Sequence, residues 1–196
     1  MLEALKQGFG GLLTFSGRMR PMHFWLYFAV IFLAIQAVAG IGGFLMMQGM
    51  FARMGRFMRE HPDQVDVVQT PGGTSWHVKG YHPELVPDVS LFVWVVAAVC
   101  LISVLLLAAA VTRRLHDSNR RGWWGLLPLP FLATGIAIFP GLFASFGAPG
   151  GKEPDMGLFL LLMLNNMVYL GSLGLLVVLL CLGGTRGENR FGPQPL

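Results

Sequence analysis

The sequence predicts an all-α integral membrane protein, a single membrane domain over residues 1–196. Four transmembrane helices are expected, with a small extracytoplasmic loop subdomain between the first two. Three observations carry this reading. Charged residues are 12% of the chain and hydrophobic residues 54%, whereas an average soluble domain is about 25% charged. Four apolar runs, about 24–47, 89–111, 123–146 and 156–182, each reach the ~20 residues a helix needs to cross hydrocarbon. None of the four contains Lys, Arg, Asp or Glu. Helix is required because lipid offers the backbone no hydrogen-bonding partner.

The elements follow in order. Leu2, Leu5, Phe9, Leu12 and Leu13 recur at spacings of three and four, which suits a short helix lying in the membrane interface. Gly8, Gly10 and Gly11 are expected to interrupt it. The first span begins near Phe24. Ala37-Val38-Ala39 resembles a signal-peptidase site, but the apolar run continues to Met47 and the polar segment before it is too long, so the span is expected to be retained. Arg53, Arg56 and Arg59, three apart, read as one face of a helix that continues past the membrane.

The outer loop, 48–88, is too short for an independent core. Within it DVVQTPGGTSWHVKG reads as a hairpin, two β-prone runs flanking Pro71-Gly72-Gly73. His61, His77 and His82 match no metal-ligand spacing and read as surface histidines. Trp76 and Tyr81 suit the membrane interface. In the third span Pro128, Pro130 and Pro140 predict a kink or a late start. Cys100 and Cys181 lie at different depths of their runs and are expected unpaired. No metal and no cofactor is expected.

The net charge is +4, and its distribution gives an orientation. Lys6, Arg18, Arg20, Arg113, Arg114, Arg120, Arg121, Arg186 and Arg190 fall on one side; Arg53, Arg56, Arg59, Lys79 and Lys152 fall on the other. Most acids lie opposite the basic side: Glu60, Asp63, Asp66, Glu84, Asp88, Glu153 and Asp155, against Glu3, Asp117 and Glu188. The basic side, with both termini, is therefore predicted cytoplasmic. The basic excess reads as a topology signal, so nucleic acid is not an expected partner.

Three polar segments meet on that side: FSGRMRPMHFW, TRRLHDSNRRGWW and GTRGENRFGPQP, starting at Phe15, Thr112 and Gly184. If the second helix runs on to Asn119, Asp117 is i,i+4 from Arg113 and i,i+3 from Arg114, and can pair with either. Both arginines suit the negative pole of a helix C-terminus. Asn119 can take the left-handed conformation that stops a helix, with Gly122 making the turn. Trp123 and Trp124 then mark the interfacial belt.

His116 is left over. On a helix it points about 100° away from Asp117, so the two form no dyad. His23, Glu188 and Glu3 are too few to complete a metal centre. Arg18 or Arg190 is the expected partner of Asp117. The candidate ligand or partner cluster is therefore Arg18, Arg113, Arg114, His116, Asp117, Glu188, Asn189 and Arg190. It reads first as a structural ion-pair cluster, then as an anion site for a lipid headgroup or phosphate, and last as a catalytic site. Nucleophile elbow, P-loop and zinc-protease motifs are missing, so no catalytic residue is assigned and a non-enzymatic protein is expected. Inside the membrane Asn165 and Asn166 stand out. They read as interhelical hydrogen-bond partners, or as part of a path in a small transporter or channel component.

Phe15-x-Gly17-Arg18 with Phe24-Trp25, then Arg113-Arg114-Leu115-His116-Asp117 with Gly122-Trp123-Trp124, then Gly187-x-Asn189-Arg190-Phe191-Gly192-x-x-Pro195 form an ordered pattern. It resembles the domain-of-unknown-function 805 family, small bacterial inner-membrane proteins with several spans. The chain departs from that pattern in its long outer loop and in Asn119-Arg120-Arg121, where small residues are common. The resemblance implies a multi-pass protein of the bacterial inner membrane and brings no reaction with it. The lipid bilayer is the implied partner, with anionic lipid or another membrane protein as candidates, and an oligomer is left open. A membrane enzyme using His116 is the remaining alternative.

Overall fold

A computed structural model describes residues 1–70, 73–80, 82, 85, 89–146 and 155–195. Pro71, Gly72, Tyr81, Glu84, Asp88, Lys152 and Glu153, named above, lie outside the described residues. Five α-helices run in chain order: α1 (Leu2–Gly10), α2 (Pro21–Glu60), α3 (Val89–Asp117), α4 (Leu129–Phe146) and α5 (Met156–Cys181). Strands β1 (Val65–Thr70) and β2 (Gly73–Val78) lie between α2 and α3. Four helical segments are long and apolar enough to cross a membrane, and they coincide with the four runs. The chain divides into two compact units, Ala37–Val89 and the remainder.

In the smaller unit α2 continues to Glu60 with Arg53, Arg56 and Arg59 exposed, as their spacing predicts. β1 and β2 pair antiparallel from Val65 opposite Val78 to Thr70 opposite Gly73, the expected hairpin. Phe57 is buried against the rings of His61 and His82. His77 is exposed, and no group of metal-ligating side chains occurs among the described residues.

In the larger unit the core sits at one end of the helices. Met19 just before α2 and Phe24, Tyr27 and Ile31 from its start meet Ala110 and Leu115 from the end of α3, and Leu176, Leu179 and Leu180 from the end of α5. The middles of the spans are mostly exposed, as suits helices surrounded by lipid. The third span starts late. A 3-10 turn, Gly122–Leu126, stacks Trp123 on Trp124 before α4 begins at Leu129, with Pro130 in its first turn and Pro140 carried inside it. Proline in a first turn loses no hydrogen bond, because that donor has no helical acceptor. Cys100 and Cys181 are both free.

One expectation is overturned in α1. Gly8 does not interrupt this helix, which runs through it to Gly10 and is capped by Gly11. The reason is contact rather than propensity. Gly8 is buried with Ala4, and a Cβ there would fall inside the Tyr27 ring. Phe9 meets the same ring edge-on at 5.3 Å. The small face of α1 thus packs on α2, while Leu2, Phe9 and Leu13 stay exposed.

Gly8→Val should release α1 from Tyr27. Hydrogen exchange across residues 2–10 should then approach that of an unprotected peptide, while exchange in α3 stays slow; protection of α1 unchanged by the substitution would contradict this docking.

Candidate functional site

The site begins with how α3 ends. Asn119 has φ 57°, and its N–H donates to the His116 carbonyl at 3.0 Å while Arg120 N–H donates to the Leu115 carbonyl at 2.9 Å. This paired bonding around a left-handed residue closes the helix at Asp117, two residues before the sequence-based end. It leaves the Asp117 side chain and carbonyl at the end of the helix, where the C-terminal tail passes.

Asp117 is buried, 3% exposed, between two guanidiniums that are also buried. Its Oδ2 accepts from Arg114 Nη1 at 2.7 Å, the i,i+3 pair. Its Oδ1 accepts from Arg18 Nε at 3.0 Å and lies 2.9 Å from Arg18 Nη2. The other guanidinium donors go to carbonyls. Arg114 donates from Nε to Leu180 O at 2.9 Å and from Nη2 to Leu182 O, which caps the C-terminus of α5. Arg18 donates to the carbonyls of Gly187 and Thr185 in the tail. Thr185 N–H returns to Asp117 O at 2.9 Å. A Cβ at Gly184 would collide with the Asp117 carboxylate, so the tail passes this closely only with glycine there.

Two predicted partners of Asp117 are elsewhere. Arg113 does not pair with it: Nη1 and Nη2 donate to Gln7 O at 3.3 and 3.2 Å, and Nε donates to Ala109 O at 3.3 Å. Three residues past Ala110 on the helix, Arg113 projects toward α1, and it binds the last turn of that helix. Arg190 also misses Asp117. Its Nη2 donates to Asn119 O at 2.7 Å and its guanidinium lies 4.7 Å from the Phe191 ring centre. The sharp turn closed by Asn189 and Gly192 points Arg190 outward and Phe191 inward. Glu188 is exposed and stands outside the cluster.

His116 and Asn189 are bound into the same structure. His116 Nδ1 donates to Gly17 O at 3.1 Å, and its ring stacks on Phe191 with centres 3.8 Å apart and planes 4° apart. Asn189 Nδ2 donates to His116 O at 3.0 Å and to Thr185 Oγ1 at 2.8 Å. Sequence reasoning missed Gln7, Thr185 and Phe191. Phe191 was inside the quoted motif, but nothing in spacing says which ring it covers. His23 Nδ1 donates to Gln7 Oε1 at 2.9 Å, so it too is occupied. No buried side-chain nitrogen or oxygen among the described residues lacks a partner.

The chemistry available is thus narrow. Three buried arginines, one buried carboxylate and the carboxyl ends of three helices form a closed, mutually satisfied set. Each helix C-terminus carries roughly half a negative charge, so three of them with Asp117 nearly balance the three cations. Within the spans, Asn165 Nδ2 donates to Phe131 O of α4 at 2.9 Å, as an interhelical bond. An apolar cleft of about 470 Å³ opens between α2, α3, α4 and α5, with Phe28, Ala108, Leu132 and Leu173 among its walls.

Fold and site together define an all-α membrane protein with four helices long and apolar enough to cross a membrane, in which arginine and aspartate clasp the segment before α2 to the ends of α3 and α5. Residues 12–193 match the family described as "Protein of unknown function (DUF805)", and the chain belongs to that family. It is similar to an uncharacterised protein, YiiR, of Escherichia coli strain K12 and to its counterpart in E. coli O157:H7, each 37% identical over 100 residues. That stretch is 49% of this chain and 58% of each relative, so little more than half of the curated relatives is covered. No solved structure matches.

Asp117→Asn removes the shared carboxylate and leaves two cations buried, which should lower unfolding stability by about 3–5 kcal/mol. Glu188→Gln should stay within about 0.5 kcal/mol. Thermal unfolding in one detergent compares the two; equal effects would refute the assignment of Asp117 as the counter-ion.

Proposed function

We propose that this is a non-enzymatic multi-pass protein of the bacterial inner membrane. Its arginine–aspartate clasp holds the fold and faces the cytoplasm with both chain termini. Around the clasp, exposed Arg20, Arg121, Arg186 and Arg190 form a basic rim for anionic lipid headgroups. The observation that carries this reading is the closure of the cluster. Every nitrogen of Arg18 and Arg114 already has an acceptor in the chain, so neither is free to hold a substrate. Exposed Arg20, Arg121 and Arg186 are the ones left for a partner, with Arg190 beside them giving one nitrogen to Asn119 O. Near an anionic leaflet each contributes about 1 kcal/mol.

The orientation rests on the excess of arginine and lysine at the clasp end. Catalysis by His116 is disfavoured by its geometry: one nitrogen is tied to Gly17 and one face is covered by Phe191. His116→Ala should therefore affect stability rather than any turnover.

A topology and lipid experiment tests the proposal. In a protein with Cys100 and Cys181 replaced by alanine, an impermeant thiol reagent added to intact spheroplasts should label Ser75→Cys and leave Ser16→Cys unlabelled. In native mass spectrometry, Arg121→Gln with Arg186→Gln should reduce retained phosphatidylglycerol relative to phosphatidylcholine. Labelling of Ser16→Cys from outside would overturn the orientation, and unchanged lipid retention would overturn the basic rim.

A further inference from the structure

Asn165 and Asn166 are adjacent on α5 and differ in what they meet. The Asn165 amide is bound to the backbone of α4. The Asn166 residue is exposed, and its side chain makes no hydrogen bond among the described residues. It lies ten residues into α5 and fifteen from its end. At 1.5 Å per residue that places it about 15 Å from one end, near the middle of a hydrocarbon layer about 30 Å thick. At this depth neither water nor a lipid ester or headgroup, all confined to the interface, can serve it. Its carboxamide therefore needs a protein partner. Leu142 of α4 and Phe159, Leu162, Met163 and Met167 of α5 line a shallow groove of about 310 Å³ with Asn166, which supplies its polar side chain.

We propose that this groove is the contact between two copies of the chain, with the Asn166 carboxamides paired across a two-fold axis in the bilayer. The self-complementarity of the group selects a second copy. A carboxamide carries one acceptor oxygen and a donor NH2, so two of them related by a two-fold satisfy each other with two bonds. In such an interface the same patch faces itself, and each copy delivers its amide at the right depth. An unrelated partner would have to match that depth with a polar group of its own. A conduction path through Asn166 would need a run of polar neighbours; its groove neighbours are Phe, Leu and Met, and a second cavity of about 370 Å³ that it borders adds only Asn165, whose amide is bound to Phe131 O, and Tyr169 to an otherwise apolar lining. Methionine side chains bend to fill an irregular contact, which suits Met163 and Met167, both exposed. The inference goes beyond the functional reading above and holds whichever side of the membrane the clasp faces.

Two measurements on the full-length protein test it. With Cys100 and Cys181 replaced by alanine, Met163→Cys, which lines the groove and keeps Asn166, should yield a covalent dimer in native membranes with a short membrane-permeant bis-maleimide. Leu161→Cys, exposed on α5 but about 160° around the helix from Met163, should yield little. In liposomes of graded protein density, energy transfer between labelled copies should give a dissociation constant that rises roughly eightfold for Asn166→Leu, the effect of two interhelical amide bonds. Asn166→Gln should stay near wild type. Cross-linking of Leu161→Cys as strong as that of Met163→Cys would overturn the proposal. So would a protein monomeric at every density, or a dissociation constant within twofold of wild type for Asn166→Leu.

Discussion

The rest of the structure depends on one carboxylate held between two cations. Asp117 takes Arg18 from the segment before α2 and Arg114 from its own helix. Through the same guanidiniums it fastens the end of α5 and the tail beyond it. Burying two charges is expensive, and a buried pair holds only when every remaining donor finds a partner. Here the partners are the free carbonyls that helices leave at their C-terminal ends. Arg114 uses those after α5, Arg113 uses the last turn of α1, and Arg18 uses the tail. The helix ends supply the negative charge that a lone aspartate cannot, and the arginines supply the donors that the helix ends lack.

That arrangement explains where the core lies. Lipid tails are as apolar as leucine, so apolar side chains gain little from packing on each other within the bilayer. Specific packing has to come from directional bonds and close backbone approach. The buried residues gather beside the clasp: Met19 and Leu115 follow Arg18 and Arg114 in the chain, and Tyr27 lies close enough to Arg113 to feel its charge. Tyr27 adds its own directional bond, from its hydroxyl to Leu106 O at 2.9 Å. Along the spans a second polar tie, Asn165 to Phe131, joins α4 and α5.

Much of this was legible in the residues. Span length and charge exclusion specify the four helices because hydrocarbon tolerates few alternatives. The Asn119 stop and the Arg114–Asp117 pair follow from local spacing, which helix geometry converts directly into contact. Arg18 or Arg190 could be expected opposite Asp117 because complementary charges on one side of a membrane have few other partners, and the structure selects Arg18. The roles of Arg113 and Arg190 were not legible, since their acceptors are backbone carbonyls and every residue has one. Gly8 misled for a related reason. Its helix propensity is visible in the sequence, but the aromatic ring that requires a glycine there is a tertiary fact. Gly184 against Asp117 is the same kind of case.

The central claim is that Arg18 and Asp117 act as one unit across the chain. A double-mutant cycle of Arg18→Ala and Asp117→Ala, read by unfolding in detergent, measures this directly. The account predicts strong coupling: the double variant should be no less stable than the worse single variant, because each single change already opens the clasp. Additivity of the two effects to within about 0.5 kcal/mol, the behaviour of independent sites, would contradict it.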